Sequence, residues 1–251
     1  MKVDYHLHTE YSWDSKLKAE DLINMSISLE YNLIAITEHL DLLPYELARW
    51  GLPSFDKYVK HMAALKEKHA SSPLRIVCGI EVGDYHRVRD FAQEFLEELE
   101  LELTLGAVHF LGEGTNVAIP MAKPLSRAQI RDYYAQNLEL VTTCDIDALA
   151  HLGVYKRYYN EIPDESDCLP LIRDIFQTMI EKGIALEINF SGLRKPYGQT
   201  IPEPCYIDLY HGLGGELFTI GSDAHLLEHF DLHYDLLPAW LFDGSVRFPL
   251  L

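Results

Sequence analysis

Residues 75–81 read RIVCGIE, a short apolar run closed by a carboxylate. A carboxylate at the end of a buried strand is costly unless it is paired or bound to a cation. Glu81 shares the parity of Val77 and Gly79, so it belongs to one face of that strand. The same design returns along the chain. Strand-like runs at 2–7, 33–38, 103–109, 146–151 and 217–222 end at or beside His6 and His8, Glu38 and His39, His109, His151, and Asp223 and His225. A seventh run, 184–190, has no such ending. His6 and His8 stand two apart and face one cavity, as do Asp223 and His225. Seven strand ends, six bearing such groups, predict a barrel with a multinuclear metal site at its mouth. Small residues near these ends (Gly79, Gly106, Ala107, Ala150, Gly221) are expected to leave room for the cluster at the barrel axis.

Between the strands lie amphipathic patterns at about 18–31, 54–70, 86–100, 126–142, 167–182 and 204–212. Strand and helix in alternation imply a parallel sheet, and a chain of 251 residues suits one α/β barrel. With no linker or low-complexity tract, residues 1–251 read as a single domain. Ser54 and Ser126 precede periodic runs as N-caps, and Gly183 follows Lys182 as a helix-ending glycine. The stretch SGLRKPYGQTIPEP at 191–204 is a loop after the sixth strand. Loops at that end of a parallel barrel carry function.

The net charge is 21 − 39 = −18 with His neutral. That argues against long nucleic acid and anionic membrane as partners, because both select clustered Lys and Arg. Much of the acidity sits in stretches such as EFLEELELE at 94–102, a solvated helix face. A small anionic substrate remains compatible, because three divalent ions would bring +6 to a pocket holding Asp14, Glu81 and Asp223. No apolar run approaches the roughly 18 residues that cross a bilayer, and no signal segment is evident, so a cytoplasmic location is expected. The four cysteines (Cys78, Cys144, Cys168, Cys205) form no CxxC pair and read as reduced structural thiols.

A His, Asp and Glu donor set without Cys suits Zn, Mn or Fe. Ions held about 3.5–4 Å apart by carboxylate typically drive phosphoryl hydrolysis. Six further histidines stay outside this set. His61 and His69 read as surface residues of one helix and His86 as solvent-exposed, while His229 and His233 are spaced i, i+4 in a possible terminal helix; His211 has no assignment. Ser222 lacks a nucleophile elbow, and no phosphate-binding G-x-x-x-x-G-K-[ST] loop occurs.

Taken in order, HLHTEYSWD (6–14), TEH (37–39), GIE (79–81), AVH (107–109), AHLG (150–153) and GSDAH (221–225) resemble the motifs of the polymerase-and-histidinol-phosphatase (PHP) superfamily. The length, TEH and INFSGLRKP (188–196) resemble its monofunctional histidinol-phosphate phosphatases. The resemblance implies a distorted TIM-like (β/α)7 barrel with three divalent ions. His6, His8, Glu81 and Asp223 would hold the first; bridging Glu81 with His109 and His151 the second; Asp14, His39 and His225 the third. Asp14 departs from the His of many relatives. Glu38, on the opposite strand face from His39, is expected to support the ligands from behind or to be structural. Arg157 and Arg194 become candidate phosphate clamps, while the adjoining Lys156 and Lys195 read as surface charges. Glu81, Asp223 and His39 are the expected catalytic residues. The implied reaction is attack of a metal-bridging hydroxide on L-histidinol phosphate, without a phosphoenzyme. Another small phosphate monoester (a nucleotide bisphosphate or phosphotyrosine) is the alternative substrate, and a metal-binding module without turnover the alternative class.

Overall fold

A computed structural model describes residues 1–52 and 54–251. Seven parallel strands form one sheet in sequence order: β1 (Val3–Leu7), β2 (Leu33–Asp41), β3 (Arg75–Gly83), β4 (Leu103–Ala107), β5 (Ala148–Leu149), β6 (Ala185–Asn189) and β7 (Phe218–Gly221). The helices between them are α1 (Ala19–Ser28), α2 (Pro44–Trp50), α3 (Phe55–Lys68), α4 (Arg89–Glu97), α5 (Arg127–Thr143), α6 (Leu169–Lys182) and α7 (Pro204–Gly212). Helix α2, which begins with Pro at its first turn, is absent from the sequence expectation. The sheet curls until β1 meets the end of β7. His8 N–H donates to the Ala224 carbonyl at 3.1 Å and Asp223 N–H to the His6 carbonyl at 2.9 Å. Asp4 adds a side-chain clip, its carboxylate accepting from Ser222 N–H at 3.1 Å. The result is a nearly closed, distorted (β/α)7 barrel.

The strands run as apolar sequence because both of their faces are covered. All five residues of β1 and of β6 are buried. Helices seal the outer face with one stripe each: Ile172, Ile175, Phe176 and Met179 of α6 follow the i, i+3, i+4, i+7 spacing. Tyr58 of α3 is fully buried and donates toward the Ile36 and Gly79 carbonyls, 2.6 and 2.9 Å away, tying its helix to β2 and β3.

Local boundaries have local causes. Ser126 forms a full capping box with Gln129. Gly183 has φ +70, and Ile184 N–H beyond it bonds the Met179 carbonyl at 2.9 Å. Ser54 occupies the N-cap position of α3, but its side chain makes no capping bond. The glycines divide in role. A Cβ at Gly221 would overlap the Glu187 carboxylate and His6, so this glycine does make room for the cluster. One at Gly106 would meet Ile146 and Leu140 instead, because that face of β4 looks out toward α5. Three cysteines are buried and Cys205 is exposed, all four unpaired.

Candidate metal centre

The register of the sheet sets the centre. His39 pairs directly with Glu81 across β2 and β3, and its Nδ1 lies 3.0 Å from Glu81 Oε2. His109 follows β4, and His151 follows β5 with φ +27. Asp223 follows β7 with φ +52. Such left-handed backbone is uncommon outside glycine and persists where the surroundings over-determine it. Here Glu187 of β6 does so for His151, accepting its N–H at 2.5 Å.

Glu81 is the hub. Its Oε1 lies 2.8 Å from His151 Nε2 and 3.3 Å from His109 Nε2. Its Oε2 lies 3.4 Å from His6 Nε2 and 3.5 Å from His8 Nε2. One carboxylate thus serves five imidazoles, His109 and His151 through Oε1 and His6, His8 and His39 through Oε2. His6 and His8 bring their Nε2 atoms within 3.0 Å of each other. Two nitrogens on one tetrahedral ion, at ~2.0–2.1 Å from it, lie about 3.3 Å apart. Three triads have ligand atoms close enough for an ion: His6, His8 and Glu81; Glu81, His109 and His151; and His8, His39 and His225. Asp14 joins the third from the rim, 3.5 Å from His39 Nε2 and 3.2 Å from His225 Nε2. Asp223 Oδ1 stands 3.7 Å from His8 Nε2.

The donor set fits divalent metal. Glu81 Oε2 and His39 Nδ1 are buried without a hydrogen-bond partner, and the convergent donors are imidazole and carboxylate throughout. Burial penalises the Glu81 charge, yet His6, His39 and His109 together hold its carboxyl well below the ordinary value. Burial likewise opposes the His109 imidazolium, but Glu81 and Asp41 push it up to about 10. His8 goes the other way, held well below the usual range by burial and then by His39 and His225. Carboxylates facing this many imidazoles attract cations, protons or metal ions alike.

Two carboxylates escape the sequence reading. Glu187, fully buried, accepts from His6 Nδ1 at 2.6 Å and so orients that ring. Its signal is the one that singles out Glu81, a charge inside an apolar run. Asp41 lies 3.6 Å from His109 Nδ1, because β2 runs on to Asp41, past the expected end at 38. A Cβ at the paired Gly83 would overlap its carboxylate. Substituting Glu187→Gln is expected to weaken metal affinity about 10- to 100-fold, as loss of a ligand-orienting carboxylate does. Titration against a competing chelator measures this, and an unchanged affinity refutes the orienting role.

Around the centre, Glu38 is structural as expected, accepting from Thr9 N–H at 3.0 Å and from Ser12 Oγ. Arg157 is buried and donates from Nη1 to Asp223 Oδ2 at 2.6 Å. Arg194 donates to the Ser222 and Asp223 carbonyls at 2.7 and 2.8 Å. Both line a cleft of about 410 Å³ above the cluster. Lys156 is not a surface charge. It is fully buried, with Glu165 at 2.7 Å and Glu203 at 2.7 Å, because the 3-10 turn at 154–158 turns it inward. His229 and His233 share no helix: they belong to separate turns, and His229 lines the cleft. His86 is half-buried beside Gln136.

The sequence pattern of the PHP domain matches residues 4–191. The chain belongs to the PHP domain family. A probable histidinol-phosphatase of Clostridium acetobutylicum is 28% identical over 245 residues, 93% of this chain and 90% of the relative. The fold is shared with a putative histidinol phosphatase from Listeria monocytogenes, at TM-score 0.81 and 22% identity, over 94% of this chain and 100% of that one. It is shared also with histidinol phosphate phosphatase from Lactococcus lactis, at TM-score 0.76 and 22% identity, over 89% and 86% of the two chains. That crystal structure is a complex with Zn, L-histidinol and phosphate. This PHP chain has no helix long and apolar enough to cross a membrane among its described residues.

Proposed function

We propose that this chain is a metal-dependent phosphatase that hydrolyses L-histidinol phosphate to L-histidinol and inorganic phosphate. The observation that carries the reading is Glu81, whose two oxygens between them face five imidazoles beneath a cleft walled by Arg157 and Arg194. The names of the relatives and the ligands of the Lactococcus lactis protein support the substrate. Three ions, of Zn, Mn or Fe, are part of the proposal. His6, His8, Glu81 and Asp223 would hold one, Glu81, His109 and His151 another, and Asp14, His39 and His225 the third.

Bound divalent ions supply a nucleophile at neutral pH and neutralise charge on phosphoryl oxygens. The chain's own groups do the rest. Glu81, Asp223 and His39 fix the donors around the reacting phosphoryl group, with Glu187 orienting His6 behind them. Arg157 and Arg194 present guanidinium forks suited to phosphate oxygens. Direct attack needs no nucleophilic side chain. The net charge of −18 argues against a nucleic acid substrate, and a cytoplasmic role in amino-acid biosynthesis completes the proposal.

Phosphate release by the Mn- or Zn-loaded protein tests this across L-histidinol phosphate, a nucleotide bisphosphate, phosphotyrosine and p-nitrophenyl phosphate. The expected kcat/KM for L-histidinol phosphate exceeds the others by about 100-fold or more, and chelation abolishes it. Equal, slow turnover on all four would remove histidinol phosphate as the substrate. No turnover with metal bound would overturn the enzyme reading.

A further inference from the structure

The cleft over the metal centre has walls of opposite charge. Arg157, Arg194 and Lys195 line it from the loops after β5 and β6. Asp41 and Glu46 line it from the end of β2 and the first turn of α2. In a ring of seven strands, β2 stands across from β5 and β6, so the two charged walls face each other over the cluster.

The two acidic residues are not equivalent. Asp41 is engaged, accepting from Trp13 Nε1 at 3.2 Å and facing His109. Glu46 is 7% exposed, and among the described residues its carboxylate has neither a hydrogen-bond donor nor a Lys or Arg within ion-pair distance. The cation nearest in sequence, Arg49, instead lies over the Trp50 ring, 4.5 Å from its centroid. Burial, and then Asp41, raise the Glu46 carboxyl above its ordinary value, and His109, His39 and Arg49 offset this only in part. A nearly buried carboxylate that lines a binding cleft without a hydrogen-bond or Lys/Arg partner among the described residues calls for a cationic ligand group.

We propose that Glu46 is the subsite for an ammonium group on the alcohol half of the substrate, whose phosphoryl end lies toward Arg157 and Arg194. The substrate class is thereby narrowed to phosphate monoesters of amino alcohols. This subsite rests on the phosphatase reading above.

The test compares L-histidinol phosphate with its N-acetyl derivative, which keeps the phosphate and imidazole but has no ammonium. In the metal-loaded wild type, kcat/KM for the free amine is expected to exceed that for the N-acetyl ester by about tenfold or more. In Glu46→Gln that ratio is expected to collapse toward one, whatever happens to the absolute rates. Metal content and thermal unfolding, compared with the wild type, establish that the variant is folded. A ratio that survives Glu46→Gln overturns the subsite, even if both rates fall. A wild type that hydrolyses both esters equally overturns the subsite and leaves the phosphatase standing. A wild type inert on both overturns the two together.

Discussion

Glu81→Gln is expected to release phosphate about 1,000-fold or more slowly than the wild type. The substitution keeps the size and shape of a side chain that is 1% exposed. It replaces one of the two oxygens with an amide donor and removes the charge. Both halves of the centre therefore suffer, since Oε1 faces His109 and His151 while Oε2 faces His6, His8 and His39. The imidazoles also lose the anion that draws cations among them. His6 shows this: burial opposes its charge, and only Glu187 and Glu81 hold it well above the ordinary histidine value. Metal analysis of the purified variant should find fewer ions per chain, and the metal-free variant should unfold at a lower temperature than the metal-free wild type. Full metal content together with a full rate would remove Glu81 from the hub position.

Arg157→Ala carries the second large effect, a fall of about 100-fold or more in kcat/KM, the scale on which one preorganised donor to a developing oxyanion acts. Arg157 has a particular position. It already spends Nη1 on Asp223 at 2.6 Å, while its Nε is buried with no partner. A guanidinium held by one carboxylate, with a further donor unspent, is oriented before any phosphate arrives. Arg157→Lys should recover little of the loss, because an ammonium cannot present the planar fork. The measurement is steady-state kinetics on the metal-loaded variants with L-histidinol phosphate. A Lys variant at wild-type efficiency would reduce Arg157 to a simple positive charge.

The barrel was legible because its strands are covered on both faces and so read as uninterrupted apolar runs. Six of the seven runs stop at or beside residues whose burial is hard to explain without a partner, as His109 and Glu81 show. Parity along a strand grouped His6 with His8 and Asp223 with His225 before any fold was assumed. What stayed hidden depends on turns. Lys156 adjoins Arg157, yet a 3-10 turn sends it into the interior between Glu165 and Glu203. Nothing in the order of residues sets that direction. Glu187 was hidden differently: β6 carries no His or carboxylate at its end, so the carboxylate within the run attracted no notice. Glu46 sits on a helix of seven residues, too short for a periodic pattern to declare itself.

The seam between β1 and the end of β7 has a consequence for how the molecule is made. His6 and His8 are synthesised early, and the six strands β2 to β7 follow before Asp223 and His225 arrive. Contacts this distant in sequence are slow to form, since the chain must first be ordered between them. Until Asp223 N–H reaches the His6 carbonyl and Ser222 N–H reaches Asp4, the early histidines stand in an unfinished wall. Tight retention of a full metal complement is therefore expected only of a chain whose seam has closed, and weaker retention of one cut short of β7.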